Sequence, residues 1–268
     1  MKKRNLGIFL ILLLTVFAIG CSSQQTTKVE ETKKQTLLET IHHRGTIKVG
    51  TEGTYPPFTF KNEKGELEGF DVDIINEVAK RLHVKAEFVP TEWKAMFVGL
   101  DSERFDVIAN QVSINEKRLE KYDFSAPYTV SGAQIIINKD TTDINTVEDF
   151  KGRKIGVTQG SNWEEIAKKA GANIQHYKGA NEIFADVAAK RIEGSVNDRL
   201  YIAEYLLKNP NPNLKVGGKT FDTAKMGFAF RKGSPELVEA VDKALKEIQA
   251  DGTYLKISQK WFGEDVSK

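Results

Sequence analysis

Four histidines (His42, His43, His83 and His176), one cysteine (Cys21) and a few charged residues at element boundaries are the candidates for chemistry in this chain. The histidines form no metal-spaced pair, and His42-His43 sits at the entry to the folded region. No nucleophile motif, paired-carboxylate signature or Gly-x-Gly phosphate loop emerges, so no catalytic residue, metal or cofactor is expected. Recognition chemistry remains. Arg118 carries a planar fork that can make two parallel charge-assisted bonds to a carboxylate. On sequence alone it reads instead as a solvated side chain of a short helix over Glu116–Glu120. Asp198 follows a short apolar strand and precedes a helix, the edge where open α/β sheets place ligands. It serves equally well as the N-cap of that helix. Gly160, Ser161 and Asn162 lie between a strand and a helix, where free backbone N–H groups suit an anion or Ser161 simply caps.

The surrounding elements alternate. Strands are expected at Thr46–Val49, Ala86–Val89 and Phe105–Ala109, with a hairpin around Asn62–Gly65. Asp71 is expected to cap a helix with Val72, Ile75, Val78, Ala79 and Leu82 on its inner face, and Met96, Phe97 and Leu100 mark a short helix. A second series follows, with strands at Gln134–Ile137, Lys154–Thr158, Ile174–Tyr177 and Ser195–Asn197. Helices at Val147–Phe150, Trp163–Ala170, Glu182–Ile192 and Leu200–Leu207 separate or follow them. The last expected helix starts with Ser234 as N-cap and Pro235 at its first position, and buries Leu237, Val241, Leu245 and Ile248. Such alternation argues for α/β architecture with mainly parallel sheets.

Residues 1–20 read as a secretory signal: Lys2, Lys3 and Arg4 precede an apolar run too short to span a bilayer. Residues 21–40 are polar and read as a flexible tether. Without 1–20 the chain holds 36 Lys+Arg against 37 Asp+Glu, net −1, which leaves no basic footprint for nucleic acid. The remaining length exceeds one ordinary core and suggests two lobes.

Tyr55-Pro56-Pro57-Phe58 and Gly69-Phe70-Asp71-Val72-Asp73 resemble the family-3 solute-binding proteins of bacterial amino-acid importers. The likeness continues through Phe105–Ile114 with Arg118, Tyr122–Tyr128, Ile155–Ser161 and Lys260–Gly263, in order along nearly the whole mature chain. Thr91-Glu92-Trp93, Ala109–Val112, Lys121–Ser125 and Asp198-Arg199-Leu200 look most like the L-cystine-binding branch; Asn115 and Gly194-Ser195 depart from it. Ala18-Ile19-Gly20-Cys21 resembles a lipobox, which implies a lipid anchor on Cys21, palmitate included, at the outer face of the cell membrane.

The resemblance implies a two-lobed type II periplasmic-binding fold, with lobe 1 from 41–132 plus 227–268 and lobe 2 from 133–226. Two crossovers form a hinge, and the ligand lies between the lobes. Arg118 is implied to grip an amino acid's carboxylate, with the Ser161-Asn162 turn as a second grip, and Asp198 to take its ammonium. Gln111 and Ser113 are implied to contact the ligand's head, and Tyr55, Phe58 and Trp93 to wall its side chain. On residue type alone Phe58 is as readily a core aromatic. L-cystine would suit a folded region without a thiol to attack its disulfide. The expected partners are a membrane permease and its ATPase, with the binding protein monomeric. Glutamine, arginine or histidine is the alternative ligand, and a dehydratase-like enzyme on the same fold is the rival class.

Overall fold

The computed structural model describes residues 35–268. The expected signal, Cys21 and the tether up to residue 34 lie outside the described residues. Helix α1 (Leu37–Arg44) begins inside the stretch expected as tether. Thr36 and Glu39 form a reciprocal capping box, Ile41 is buried, and Gly45 closes the helix at φ 73°.

The first half comprises β1 (Thr46–Thr51), the short hairpin strands β2 (Thr54–Tyr55), β3 (Thr59–Lys61) and β4 (Leu67–Glu68), α2 (Phe70–Arg81) and β5 (Lys85–Pro90). It continues with α3 (Trp93–Asp101), β6 (Val107–Ser113), α4 (Glu116–Leu119) and β7 (Tyr122–Phe124). Strand β8 (Thr129–Asn138) leads into the second half: a 3-10 turn at Val147–Phe150, β9 (Lys154–Thr158), α5 (Asn162–Lys169), β10 (Asn173–Tyr177), α6 (Ala180–Ala188), β11 (Gly194–Asp198) and α7 (Arg199–Lys208). Strand β12 (Leu214–Arg231) leads back to α8 (Pro235–Ala250) and α9 (Thr253–Phe262).

One sheet runs β10-β9-β11-β8-β12-β6-β1-β5, with β7 also on β12. Pairing is parallel toward both ends (β1 with β5 and β6, β9 with β10 and β11) and antiparallel in the middle. The two connecting strands lie side by side there, with Thr129 opposite Met226 and Ser131 opposite Ala224. The expectation of mainly parallel pairing therefore holds at the ends only. A chain that crosses between halves and returns must run antiparallel to itself.

Apolar burial explains the layers. Leu237, Val241, Ala244, Leu245 and Ile248 of α8 are buried in the main core with Val49, Phe70 and Ile75. A fully buried side chain of this kind contributes about 1.5–3 kcal/mol. The same core reaches Ile183, Phe184 and Tyr201 of the second half, while Ala133, Ile155 and Trp163 belong to a separate cluster.

Three expectations need correction. Asp71 does not cap α2: Gly69 holds the N-cap position, and Asp71 lies buried in the first turn. Gly69 stands at φ 138°, where an added Cβ would lie 2.2 Å from the Phe58 carbonyl oxygen, so only glycine fits. Ser234 occupies the N-cap position of α8 but its side chain makes no capping bond. Nor is α8 the last helix, since α9 follows Gly252 at φ 79°.

Candidate functional site

The carboxyl ends of β1, β6, β9 and β11 converge on a cavity between the halves. Six of the nine residues expected at a ligand site line it: Tyr55, Trp93, Gln111, Ser161, Asn162 and Asp198.

Asp198 is the N-cap of α7 and remains more than a cap. Its Oδ1 accepts from Ser131 Oγ at 2.9 Å and from the Leu200 backbone N–H at 2.8 Å. Its Oδ2 is buried with no hydrogen-bond partner among the described residues. Burial pushes its pKa up to about 6, against the lowering effect of those bonds. A bare buried carboxylate oxygen facing a cavity costs several kcal/mol unless a cation pairs with it.

Arg118 lies in an adjoining hollow that shares Ser161 and Asn162 with the cavity. It is buried, not solvated. Its guanidinium donates to Ser113 Oγ at 2.6 Å and to the Ser113 carbonyl at 3.0 Å, 5.4 Å from the Trp93 ring centroid and 5.3 Å from that of Phe97. Burial pulls its pKa down to about 10, so it stays charged at neutral pH. No carboxylate forms an ion pair with it among the described residues. Ser113 is buried beneath the guanidinium and lines neither space.

Ser161 caps α5, accepting from the Glu164 N–H at 3.2 Å. Glu164 in turn accepts from the Gly160 N–H at 2.6 Å, from His176 Nε2 at 2.9 Å and from Lys168. Burial raises its pKa, but these donors outweigh it and hold it at about 2. The turn is thereby fixed at the cavity edge, with the first N–H groups of α5 beside it.

Phe58 is not a wall of the cavity. It is fully buried in the core behind Tyr55, with ring centroids 5.4 Å apart, and packs against Phe262 at 5.6 Å. Tyr55 stacks on Tyr201 at 4.4 Å and reaches across to Asn197. Trp93, expected as a wall, lines the cavity but keeps only 7% of its surface exposed because Arg118 and Phe97 cover it.

Sequence reasoning missed Glu52, Asn110 and Asn197, all of which line the cavity. Asn110 donates to Glu52 Oε2 at 2.7 Å and accepts from the Glu52 N–H at 2.7 Å. Burial lifts the Glu52 pKa to about 7, and the same residue borders a second hollow with Glu92 and Lys178. Its place just past β1 was the available signal.

Residues 47–264 match the model of bacterial extracellular solute-binding proteins, family 3. The L-cystine-binding protein TcyA of Bacillus subtilis is 41% identical, over 100% of both chains. Among solved structures, an ancestral arginine-binding protein bound to glutamine superposes with TM-score 0.78 at 42% identity, covering 82% of this chain and 99% of that one. The L-cystine solute receptor of Neisseria gonorrhoeae, unliganded and open, gives TM-score 0.59 at 38% identity, with 87% and 99% covered. The Tyr55–Asn197 bond spans the two halves here.

Proposed function

Because this chain belongs to the bacterial extracellular solute-binding proteins, family 3, we propose that it binds L-cystine and delivers it to the permease of an ATP-driven importer. In this reading lobe 1 is 41–132 plus 227–268, lobe 2 is 133–226, and β8 and β12 are the hinge. One α-carbon end of the ligand puts its ammonium on Asp198 Oδ2 and its carboxylate between Arg118 and the Ser161-Asn162 turn. Glu52 receives the ammonium at the far end. The observation that carries the reading is, among the described residues, a buried oxygen on Asp198 without a hydrogen-bond partner and, past Ser161-Asn162, a buried guanidinium with no ion-pair partner. Two poles of opposite charge suit a zwitterion, and each would be costly to bury alone.

The chain acts as a monomer on the outer face of the membrane, held by lipid on Cys21. The supporting observation is the Ala18-Ile19-Gly20-Cys21 sequence. Among the described residues no helix is long and apolar enough to cross a membrane.

A thermal-shift panel of the twenty amino acids plus L-cystine tests the ligand. Binding to the folded state raises the melting temperature by mass action, by about 2.7 kcal/mol of added stability at a hundredfold excess over Kd. L-cystine is expected to give the largest shift. A larger shift with glutamine, arginine or histidine would move the assignment to that ligand, and no shift with any zwitterion would end the reading.

A further inference from the structure

Asp71 is a fully buried carboxylate with no ion-pairing cation among the described residues. An apolar residue of similar volume would fill that place in the core without the desolvation cost. Each of its oxygens accepts a bond from Gln111. Oδ2 accepts from the Gln111 backbone N–H at 2.8 Å, and Oδ1 accepts from Gln111 Nε2 at 2.7 Å.

Gln111 stands at φ +47°, a left-handed conformation that side-chain-bearing residues adopt only when their surroundings hold them there. It lines the cavity beside Asp198. Its Nε2 also donates to Thr129 Oγ1 at 3.3 Å, at the start of β8. Its Oε1 is buried with no hydrogen-bond partner among the described residues, and the same holds for Oδ2 of Asp198, which lines the same cavity. An ionised carboxylate only accepts, so it must draw the NH2 side of the Gln111 amide toward itself and turn the oxygen away.

We propose that Asp71 is a positioning residue for ligand recognition: it sets the orientation of the Gln111 amide, so that Oε1 joins Asp198 Oδ2 as an acceptor for the ligand's ammonium. This rests on the reading of the cavity as an amino-acid site. An ammonium has three N–H bonds to place, and one carboxylate oxygen leaves it under-satisfied.

The test is a double-mutant cycle with L-cystine, read by calorimetry at pH 8, with melting temperatures as the control for folding. The near-isosteric Asp71→Asn substitution puts an NH2 group where an acceptor was. The Gln111 amide then turns over and presents Nε2 to the ligand. Affinity should fall about tenfold or more, the scale of losing a bond to a charged group. In a Gln111→Ala background the same substitution should cost less than about twofold, because its route runs through the amide. An equal loss in both backgrounds, or no loss in either, overturns the assignment. If Asp71→Asn does not fold, Thr129→Val decides. It removes the second acceptor of Nε2 and should weaken binding about threefold at unchanged melting temperature, near the lower end for one hydrogen bond. Unchanged affinity there overturns the proposal. If the unsubstituted chain binds no zwitterion at all, the amino-acid reading and this assignment fall together. If it binds L-cystine and the cycle is additive, only the role of Asp71 falls.

Discussion

The Tyr55 hydroxyl donates to Asn197 Oδ1 at 2.6 Å, and the same oxygen accepts from the Asp198 backbone N–H at 2.8 Å. One hydrogen bond from the first half thus reaches the residue beside the proposed ammonium partner. Tyr55→Phe keeps the stacking on Phe58 and Tyr201 and deletes only this bond. L-cystine affinity is expected to fall about two- to tenfold, matching roughly 0.5–1.5 kcal/mol for one net hydrogen bond. Calorimetry on the variant measures it, and an unchanged Kd would remove the bond from the closing energetics.

Arg118→Ala should weaken binding by roughly 2–5 kcal/mol, the usual cost of truncating one partner of a buried charge pair. Arg118→Lys should also bind poorly, since an ammonium lacks the planar fork and its stacking on Trp93 and Phe97. Retained affinity in either variant would show that the ligand's carboxylate goes elsewhere.

Asp198→Asn separates recognition from capping. Asparagine caps helices about as well as aspartate, so the start of α7 should survive. Ligand affinity should drop by more than about tenfold, since the ammonium loses its charged partner. Ligand-free melting at pH 8 should hold or rise, because a buried charge has been removed. A large fall in ligand-free melting would mean that capping is the main work of Asp198.

The carboxyl of Asp198 moves from 3.8 to about 6 on folding, so the folded state keeps its proton longer than the unfolded chain. The stability this gives is fully present below about pH 4 and is lost as pH rises through about 6. Asp71 and Glu52, both raised to about 7 by burial, carry the decline on to about pH 7. Glu164, held at about 2, works in the opposite sense, and its contribution fades as pH falls below 4.5. A bound ammonium offsets the Asp198 penalty, so affinity is expected to rise with pH from about 5 to 7. A pH series of titrations checks this, and the rise should flatten in Asp198→Asn.

Glu52→Gln addresses the far end of the ligand. It should weaken L-cystine binding by about 1.5–3 kcal/mol, the scale of a hydrogen bond to a charged group. An amino acid with only one zwitterionic end should be affected much less. Equal losses for both would assign Glu52 to the shape of the cavity rather than to the second ammonium.

Local signals carried much of the fold. The apolar stripes of α2 and α8 and the strand–helix alternation are one-dimensional features that burial turns directly into structure. Strand β12 had no such signal. Gly217-Gly218 and the exposed stretch around Lys219 and Thr220 break any alternation, and pairing with β8 holds the strand instead. Helix α9 was hidden by Gly252, which reads as an ending and proves to be a corner between two helices. At the site, Arg118 and Asp198 stood out as charges at element boundaries. Phe58 and Tyr55 are near neighbours in one loop, and only the packing of Tyr201 and Phe262 decides which ring faces the cavity. Asn110 and Asn197 come from two strands and Glu52 from the loop just past a third, so their convergence follows from sheet order and not from any spacing along the chain.

The side-by-side pairing of Thr129 with Met226 and Ser131 with Ala224 has a mechanical result. Two neighbouring rails joined by ladder bonds bend together about one line, whereas rails set far apart would resist bending and favour shear. In the proposed reading, motion between the halves is thereby narrowed to a single opening coordinate, and a docked transporter would read one angle as a yes-or-no report of cargo.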